Sequence, residues 1–386
     1  MRKTSWYLGA AATVLVATGA ITRFAVLPAV HQVPGDTDFT MHFAGAMTML
    51  DPQALQSGNL PAAIVRDLPI TADRRVRAVD TSGSTIVLSD KTVVLGPQKQ
   101  TLQAAEKRWP VDRKTLLDRP APKNVPAEAH KGLSAGFPLE PKKKNYPYWD
   151  ASTRTTVPAT YVRTEKRAGR ETYVFSIRHT GALTDPAALG ALPPAMPKAV
   201  VQGLAGVAAP QQAADVGAAT ADKPDPTPLT YTSSTDLTGW VDSETGVTVD
   251  LESTQAVTAT TTTSAGAPVE LFPVMSLTMT TTPASRAELA NTAEDGARAL
   301  WLLGDVAPVA ALVLGLALIA LAIYLEGRAR RPRPDPALPG PRAQADTEAE
   351  GRSTADSSSG ISGISGTGGI SGTGGTGDVG DNGRTP

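Results

Sequence analysis

Hydrophobic residues are concentrated in two long runs, one near each end of the chain, with a more polar sequence between them. Residues 6–22 and 306–325 contain no charged side chain. A helix needs roughly 20 residues to cross the ~30 Å hydrocarbon core of a bilayer. The second run has that length. The first reaches it by extending to residue 30, with Arg23 at the membrane edge, where its side chain can reach the headgroups. The pattern predicts transmembrane helices over 6–30 and 306–325.

Positive charges flank both apolar runs on the sides that face the chain ends. Arg2 and Lys3 precede the first run, and four arginines follow the second within residues 328–333. Because Lys and Arg near a membrane crossing stay in the cytoplasm, we expect a two-pass protein of the plasma membrane. Both ends, 1–5 and 326–386, are then cytoplasmic, and the central domain is extracytoplasmic. A cleaved signal peptide is the alternative interpretation of the first run, and it also exports the central domain.

Between the two runs, short stretches alternate between apolar and polar residues, as half-buried strands do. Residues 38–50 alternate in this way, and turn residues at 80–83 and 168–169 join further stretches into hairpins. Threonine-rich alternating runs near the end of the region favour strands with one solvated face, with O-glycosylation of an exposed tract as the alternative. We therefore predict an α+β, mainly β fold class, with an antiparallel β-rich extracytoplasmic domain over residues 31–284.

Three parts of this domain depart from the strand pattern. Residues 98–108 are predicted to form a helix that Pro110 ends. Residues 118–141 contain repeated prolines and are predicted to form a loop. Residues 184–228 are rich in Ala and Pro, which predicts a long surface excursion with one short helix near 197–207.

A helical stalk and a polar tail complete the expected organisation. Ser285-Arg286-Ala287-Glu288 has the pattern of a capping box, which predicts an amphipathic stalk helix over 285–304, interrupted at Gly304. Residues 326–386 begin basic and proline-rich and end in a Gly/Ser/Thr repeat. Such a repeat cannot bury a core, so we expect a disordered C-terminal tail.

The composition narrows the possible functions. The chain has 36 Lys and Arg against 37 Asp and Glu, so it lacks the basic surplus of a nucleic-acid binder. It has no cysteine, so the exported domain must fold without disulfides. Its 4 histidines are scattered, and the sequence contains no GxSxG, GxxxxGK[ST] or GxGxxG motif in a suitable context. We therefore expect no metal, no cofactor and no enzymatic activity.

One stretch, residues 137–150, combines lysines and aromatic residues more densely than the rest of the chain. Lysines beside exposed rings are suited to an anionic headgroup or a polyanionic sugar chain, with the rings adding apolar contact. The alternative is that the rings pack inward and the lysines are only solvated. The candidate ligand-binding residues are Lys142, Lys143, Lys144, Tyr146, Tyr148 and Trp149.

Three motifs carry a resemblance to a known family. They are VDRKT at 111–115, FPLEPKKKNYPYWD at 137–150 and WVDSETG at 240–246. Together they resemble the actinobacterial porin PorA family, formerly catalogued as a domain of unknown function, over residues ~1–325. The resemblance implies a two-pass membrane protein with an extracytoplasmic domain. The family label implies a channel, and the family offers no catalytic residues.

Three functions are compatible with these features. In the first, the tethered domain binds or handles an envelope lipid or another amphiphile, with membrane lipids as its partners. In the second, it is a scaffold without a ligand cavity that docks envelope proteins or cell-wall glycans. The third is a porin-like channel. Porin barrels need strands with a lipid-facing apolar band, whereas the strands expected here are too polar on both faces to form such a band. The sequence therefore favours a non-enzymatic, ligand-binding membrane protein.

Overall fold

Most of the domain is one antiparallel sheet, seen in a computed structural model that describes residues 14, 17, 31–263, 266 and 268–329. The strands are β1 (Asp38–Leu50), β2 (Ile64–Ser82), β3 (Thr85–Leu95), β4 (Thr101–Asp112), β5 (Tyr146–Asp150), β6 (Thr155–Arg167), β7 (Arg170–Ala182), β8 (Ala195–Met196), β9 (Thr227–Pro228), β10 (Thr230–Asp242), β11 (Thr248–Thr262) and β12 (Pro268–Thr281). The 10-stranded sheet has the order β4-β3-β2-β1-β12-β11-β10-β7-β6-β5, and β8 and β9 pair separately. The predicted antiparallel, mainly β fold is confirmed.

Most neighbouring strands are joined by hairpins. The first and last strands of the domain, β1 and β12, pair with each other. The predicted turn at 168–169 is confirmed, and both predicted hairpins have a glycine with positive φ at the turn, Gly83 and Gly169. The first turn is shorter than predicted, because β2 continues to Ser82 and only Gly83 of the predicted residues lies in the turn. β1 and β12 approach closely at Gly45, where a Cβ atom would lie 1.9 Å from the carbonyl oxygen of Thr278. Only glycine fits there without moving a backbone.

The sheet curves into a half-barrel, and the loop over 113–145 bridges its two edge strands. The backbone N–H of Glu128 donates to the carbonyl of Arg108 on β4, and that of Leu133 donates to the carbonyl of Pro147 on β5, both at 2.8 Å. Leu133 and Phe137 of this loop are buried in the core. The predicted proline-rich loop therefore exists, and it covers strand edges that would otherwise be open to other chains.

The helices are short in the sheet domain and long after it. They are α1 (Pro52–Gln56), α2 (Pro186–Gly190), α3 (Lys198–Ala208), α4 (Ala213–Ala221), α5 (Pro283–Trp301) and α6 (Ala307–Ala329). A π-helical turn at Leu302–Val306 connects α5 to α6 at the predicted interruption, Gly304.

The helix predicted over 98–108 is wrong, because this stretch belongs to β4. Gln103, Ala105, Lys107 and Trp109 occupy alternate positions that face the interior. Pairing with β3 along its length outweighs the helix propensity of the Gln, Ala, Glu and Lys residues. Pro110 is tolerated since β4 is an edge strand of the sheet.

The segment over 184–228 is not confined to the surface. The short helix predicted near 197–207 is confirmed as α3. Val201 and Leu204 of α3 and Val216 of α4 are fully buried, in one core cluster with Leu271 and Phe272 of β12. Alanine and proline here allow closely packed short helices that cover one end of the half-barrel.

Helix α5 begins slightly earlier than predicted. Its N-cap is Thr282, whose hydroxyl accepts a hydrogen bond from the backbone N–H of Ser285 at 3.3 Å. The Ser285 hydroxyl instead accepts from the backbone N–H of His42 at 3.0 Å. The predicted cap residue therefore fastens α5 to β1.

Helix α6 is apolar and exposed. Val309, Val313 and Ile323 are among its exposed side chains. In the described part of the chain, the continuous helix Pro283–Arg328 is the one helix long and apolar enough to cross a membrane. The helix predicted over 6–30 lies outside the described residues except for Val14 and Ala17, and so does most of the predicted tail.

The motifs VDRKT and WVDSETG form the same turn in two places. Asp112 Oδ1 accepts from the backbone N–H groups of Lys114 and Thr115, each at 2.9 Å. Asp242 Oδ1 accepts from those of Glu244 at 3.2 Å and Thr245 at 2.8 Å. Such side-chain caps satisfy the backbone of a tight turn. The two motifs therefore have an architectural role at the ends of β4 and β10.

Arginines complete both turns. Arg119 donates to Asp112 Oδ2 at 2.7 Å, and Arg170 donates to Asp242 Oδ2 at 2.8 Å. Burial by itself would raise the pKa of Asp112, but the N–H of Thr115 and the Arg119 guanidinium outweigh burial and lower the pKa to about 2. The pKa of Asp242 is lowered in the same way, against burial, by Arg170 and Thr245.

Candidate functional site

Two pockets lie next to each other on the inner face of the half-barrel. The first, which we call the polar pocket, has a volume of about 220 Å³ and is lined by β2, β3, β4, β5, β10, β11 and β12. The second, the apolar pocket, has a volume of about 410 Å³. Gln103 on β4 lines both pockets. Along β11 the lining passes from Ser253 and Gln255 in the polar pocket to Val257 in the apolar one, so the two pockets are in series.

Strand alternation places charged side chains inside the polar pocket. On β2, Ile70, Ala72 and Val76 are buried, and Arg74 occupies the same face between them. On β3, Asp90 shares the inner face with Leu88 in the same way. Burying a charge is unfavourable unless it is paired, so these inward charges need a structural or functional explanation.

Arg74 and Asp90 neutralise each other across neighbouring strands. Arg74 Nε donates to Asp90 Oδ1 at 2.9 Å, and Nη2 donates to Oδ2 at 2.6 Å. Burial alone would lower the pKa of the Arg74 guanidinium, but the charge of Asp90 outweighs burial and raises it. Arg74 is therefore a fixed cation that is already matched by its partner.

Lys107 is the second cation of the polar pocket and is also matched. Its Nζ donates to Asp185 at 2.7 Å and to Glu128 at 3.2 Å. Burial opposes the charge of Lys107, but hydrogen bonds to Asp185 and Glu128 raise its pKa overall. Asp185 also caps α2, because its carboxylate accepts from the backbone N–H of Ala188. Lys107 therefore connects β4 to α2, whose residue Ala188 lines the apolar pocket.

Four residues that line the polar pocket each carry a buried polar atom with no hydrogen-bond partner within the described residues. The atoms are Gln103 Oε1, Ser134 Oγ, Asp150 Oδ2 and Ser253 Oγ. Asp150 is only 4% exposed and Ser253 only 3%. The other carboxylate oxygen of Asp150 accepts from the backbone N–H of Ser152 at 2.9 Å. Unpaired buried polar atoms are unfavourable, so this pocket is suited to a polar group that supplies the missing bonds.

The apolar pocket has few polar groups in its wall. It is lined by Met47, Leu102, Leu192, Val257, Phe272 and Met275, among others. Residues 188–196 cover one side, and the hydroxyl of Tyr231 donates to the carbonyl of Pro193 in this cover. Burial raises the pKa of Tyr231 to about 12. A pocket of this size and character is typical of sites for apolar ligand groups.

The structure divides the six predicted ligand-binding residues among three places. Tyr148 and Trp149 line the polar pocket. Burial raises the pKa of Tyr148, against the opposing effect of Arg74. Tyr146 is buried edge-on against Phe137 and Phe175. The aromatic rings of residues 137–150 therefore pack inward, which is the alternative that the sequence left open for this stretch.

The three lysines lie outside both pockets. Lys142 and Lys143 line a separate groove of about 890 Å³ beside α5, which Trp301 also lines. Lys143 Nζ lies 5.1 Å from the centre of the Tyr173 ring, and Lys144 Nζ lies 5.2 Å from that of Tyr146. The structure therefore brings Lys144 beside Tyr146 but places Lys142 and Lys143 in a different pocket from Tyr148 and Trp149.

The groove beside α5 does not present charge of a single sign. Arg170, which lines it, is paired with Glu244 at 3.1 Å as well as with Asp242. Arg298 is paired with Glu294. Paired cations attract an anionic headgroup weakly, because the neighbouring carboxylates offset their charge.

Sequence reasoning identified Tyr148 and Trp149 of the polar pocket but missed its charged residues. Arg74, Asp90 and Lys107 come from three separate strands, and Asp150 is the last residue of β5. The available signal was a charge at an inward position of an alternating strand, as at Arg74 between Ala72 and Val76. Among the described residues, no group of His, Cys, Asp and Glu side chains is placed to hold a metal ion.

Comparisons with known proteins identify a family, and they also find solved structures with low similarity to this chain. The family model described as "Porin PorA" matches residues 4–324. No curated protein matches the sequence significantly. A Mycobacterium tuberculosis protein, RV0216, described as a double hotdog fold, has 12% identity and a TM-score of 0.14, covering 70% of this chain and 80% of its own.

Two further solved structures are similarly distant. A monomeric dehydratase domain from a trans AT polyketide synthase has 9% identity and a TM-score of 0.11, covering 62% of this chain and 82% of its own. A MaoC domain dehydratase from Chloroflexus aurantiacus J-10-fl has 11% identity and a TM-score of 0.13, covering 70% of this chain and 80% of its own. Scores this low carry no argument about fold or function.

Proposed function

This chain belongs to the porin PorA family, and from that premise we propose that it is a membrane protein whose sheet domain binds a lipid or another amphiphile. The apolar chain of the ligand occupies the apolar pocket, and its polar head occupies the polar pocket. The domain acts by binding and has no catalytic role. Membrane association itself follows from the family and from the apolar, exposed helix α6.

The main observation in support of the proposal is that the polar pocket and the apolar pocket are adjacent. An amphiphile has a polar end and an apolar end joined in one molecule. Here Gln103 joins a pocket with unpartnered polar atoms to a pocket walled by Met, Leu, Val and Phe side chains. Neither a scaffold surface nor a plain hydrophobic core needs this arrangement, because a core is normally filled by its own side chains.

We further propose the two-pass topology, with both termini in the cytoplasm and the sheet domain outside. The second anchor, α6, is directly continuous with α5, and α5 packs against β1 and β11. A domain held this close to the bilayer is well placed to receive lipid from it.

The channel implied by the family label is the alternative. Asp73, Arg75 and Arg77 are on the outer, exposed face of β2, and Asp38 pairs with Arg75. An Arg or Lys side chain that faces lipid destabilises a membrane barrel by about 2–4 kcal/mol at the midplane, and an Asp by less. These outward charges favour a solvated domain over a lipid-embedded barrel.

The test uses the full-length protein and counts retained lipid. Protein released from detergent micelles is analysed by native mass spectrometry, before and after incubation with vesicles of membrane lipid. We expect one lipid-sized adduct on the wild type. Val257→Trp should remove it, because an indole at this wall fills the apolar pocket. Val162→Trp is the matched control, since Val162 is 50% exposed and lines neither pocket.

Three outcomes would contradict the proposal. A wild type that carries and acquires no adduct does not bind lipid. An adduct that survives Val257→Trp is bound elsewhere. The third outcome is single-channel conductance of the purified wild type in a planar bilayer. If both variants keep this conductance, the channel is supported instead.

A further inference from the structure

The polar pocket has no free positive charge to offer a ligand. Among the described residues that line it, the cations are Arg74 and Lys107. Arg74 is held by Asp90 through two hydrogen bonds, and Lys107 is held by Asp185 and Glu128. A phosphate or carboxylate headgroup would therefore have to compete with carboxylates that are already in place.

One carboxylate in the pocket is not matched by a cation in the described structure. Asp150 accepts backbone hydrogen bonds at Oδ1, while its buried Oδ2 has no partner. This oxygen needs a hydrogen-bond donor, and it repels a second anion. The charge of the pocket thus disfavours anionic headgroups.

The unpartnered atoms together are suited to hydroxyl groups. Asp150 Oδ2 and Gln103 Oε1 are acceptors, whereas the hydroxyls of Ser134 and Ser253 can each donate and accept. A ligand hydroxyl can donate to a carboxylate and accept from a serine at the same time. Hydroxyl groups can therefore supply the kind of hydrogen bond that each of these atoms lacks.

The walls and the volume are suited to a ring that carries such hydroxyls. Trp109, Tyr148 and Trp149 all line the pocket and present apolar faces beside its polar atoms. A volume of about 220 Å³ corresponds to roughly seven water molecules at ~30 Å³ each. This accommodates one monosaccharide-sized group.

We propose that the polar pocket binds an uncharged, polyhydroxylated headgroup, such as a sugar or polyol, in preference to an anionic one. This inference rests on the proposed amphiphile-binding function, since the chain attached to that headgroup occupies the apolar pocket. Asp150, Gln103, Ser134 and Ser253 select the headgroup by accepting from and donating to its hydroxyls.

The test compares probes that share one chain and differ in the head. Dodecyl β-glucoside, 1-dodecanol and dodecyl phosphate compete at equal concentration for the full-length protein in amphipol, with occupancy read by native mass spectrometry. Free glucose is a fourth arm. We expect the glucoside to bind about tenfold more tightly than the alcohol, as a few satisfied hydrogen bonds would give. We expect the phosphate to bind no better than the alcohol, and glucose to leave occupancy unchanged.

Two variants link the preference to the pocket. Ser253→Ala and Asp150→Asn should each reduce the glucoside preference over the alcohol by roughly threefold to tenfold, while alcohol binding persists. Ser89→Ala is the matched control, because Ser89 is equally buried but bonds Glu106 and lines neither pocket. Persistent alcohol binding also shows that a variant has folded.

The possible outcomes distinguish a failure of the headgroup inference from a failure of the proposed amphiphile binding. Equal binding of all three probes, or a preference for phosphate, would overturn the headgroup inference and leave amphiphile binding in place. A glucoside preference unchanged in both pocket variants would also overturn it. If no dodecyl probe binds, the proposed function itself fails. If free glucose competes as strongly as an equal concentration of the glucoside itself, the dodecyl chain adds nothing to binding, and the amphiphile proposal is wrong.

Discussion

Arg74 on β2 and Asp90 on β3 form a two-bonded ion pair inside the sheet, at 2.9 and 2.6 Å. Their side chains are 22% and 13% exposed. Because little water reaches either group, each charge is stabilised mainly by the opposite charge of its partner. The pair therefore fixes the electrostatics of the polar pocket, because it removes the strongest cation from contact with a ligand.

Breaking this pair should destabilise the protein strongly. Asp90→Asn leaves the Arg74 charge buried without a counter-charge, and we expect a loss of about 3 kcal/mol of stability. The double variant Arg74→Met/Asp90→Leu should lose much less, since it removes both charges. Thermal unfolding of the full-length protein in detergent measures both effects.

An exposed pair provides the control for this measurement. Arg178 and Asp236 lie 3.1 Å apart with side chains 74% and 53% exposed, and such pairs contribute little. Asp236→Asn should leave the melting temperature almost unchanged. If Asp90→Asn behaves like Asp236→Asn, Arg74 is solvated and the pocket is more open than the structure indicates.

The turn aspartates should make stability depend on pH in the acid range. Asp112 has a pKa lowered to about 2, against about 3.9 in an unfolded chain. Its contribution is therefore fully present above about pH 4 and is lost as the pH falls through 4 towards 2. A shift of this size corresponds to ~2 kcal/mol.

Asp112→Asn isolates this contribution. At pH 7 the variant should melt below the wild type, because it loses the charged contact to Arg119. The gap should narrow between pH 4 and pH 2 as the wild-type carboxylate is protonated. Asp36→Asn, at an exposed position, should show no such convergence. A gap that stays constant down to pH 2 would contradict the lowered pKa.

The strands could be predicted from the sequence because alternation with period two is a local signal. Residues 38–50 form β1 with the predicted bounds, and the turn at Ala168-Gly169 joins β6 to β7. β4 could not be predicted in this way. Its residues prefer helix locally, and only pairing with β3, a tertiary contact, holds them extended.

The candidate site was only partly predictable for a related reason. Tyr148 and Trp149 were identified from local aromatic density, and both line the polar pocket. Arg74, Asp90 and Ser253 were not, because a single charged or polar residue on a strand does not reveal which face is covered. That depends on the curvature of the sheet and on the loop over 113–145, which short-range patterns do not encode.

The cover of the apolar pocket should depend on one hydroxyl. Tyr231→Phe keeps the ring in the wall but removes the hydrogen bond to the carbonyl of Pro193. We expect faster hydrogen exchange at the backbone of residues 188–196, with little change elsewhere. Lipid adducts should also dissociate faster, since the cover opens more often.

Tyr161→Phe is the control for this substitution. The Tyr161 hydroxyl bonds that of Thr164 at 2.7 Å on β6, away from both pockets. This variant should leave exchange over 188–196 unchanged. If Tyr231→Phe does the same, the cover is held by the packing of α2 and α3 alone, and Tyr231 has no role in ligand access.

The last prediction concerns the orientation of the chain in the membrane. Because the chain has no cysteine, single cysteines can be introduced without background labelling. Ser84 lies exposed in the turn between β2 and β3, and Ser357 belongs to the tail after α6. With the sheet domain outside, Ser84→Cys should react with a membrane-impermeant maleimide in intact cells treated to open the cell wall. Ser357→Cys should react only after the membrane is permeabilised.

The opposite pattern would place the sheet domain in the cytoplasm. The arginines after α6 would then face outward, against the tendency of positive charges to remain inside. Labelling of both sites in intact cells would show that α6 does not cross the membrane, because one crossing must separate residues before it from residues after it. Either result would remove the basis for a domain that receives lipid at the outer face of the plasma membrane, while leaving the two-pocket site to be tested by ligand binding.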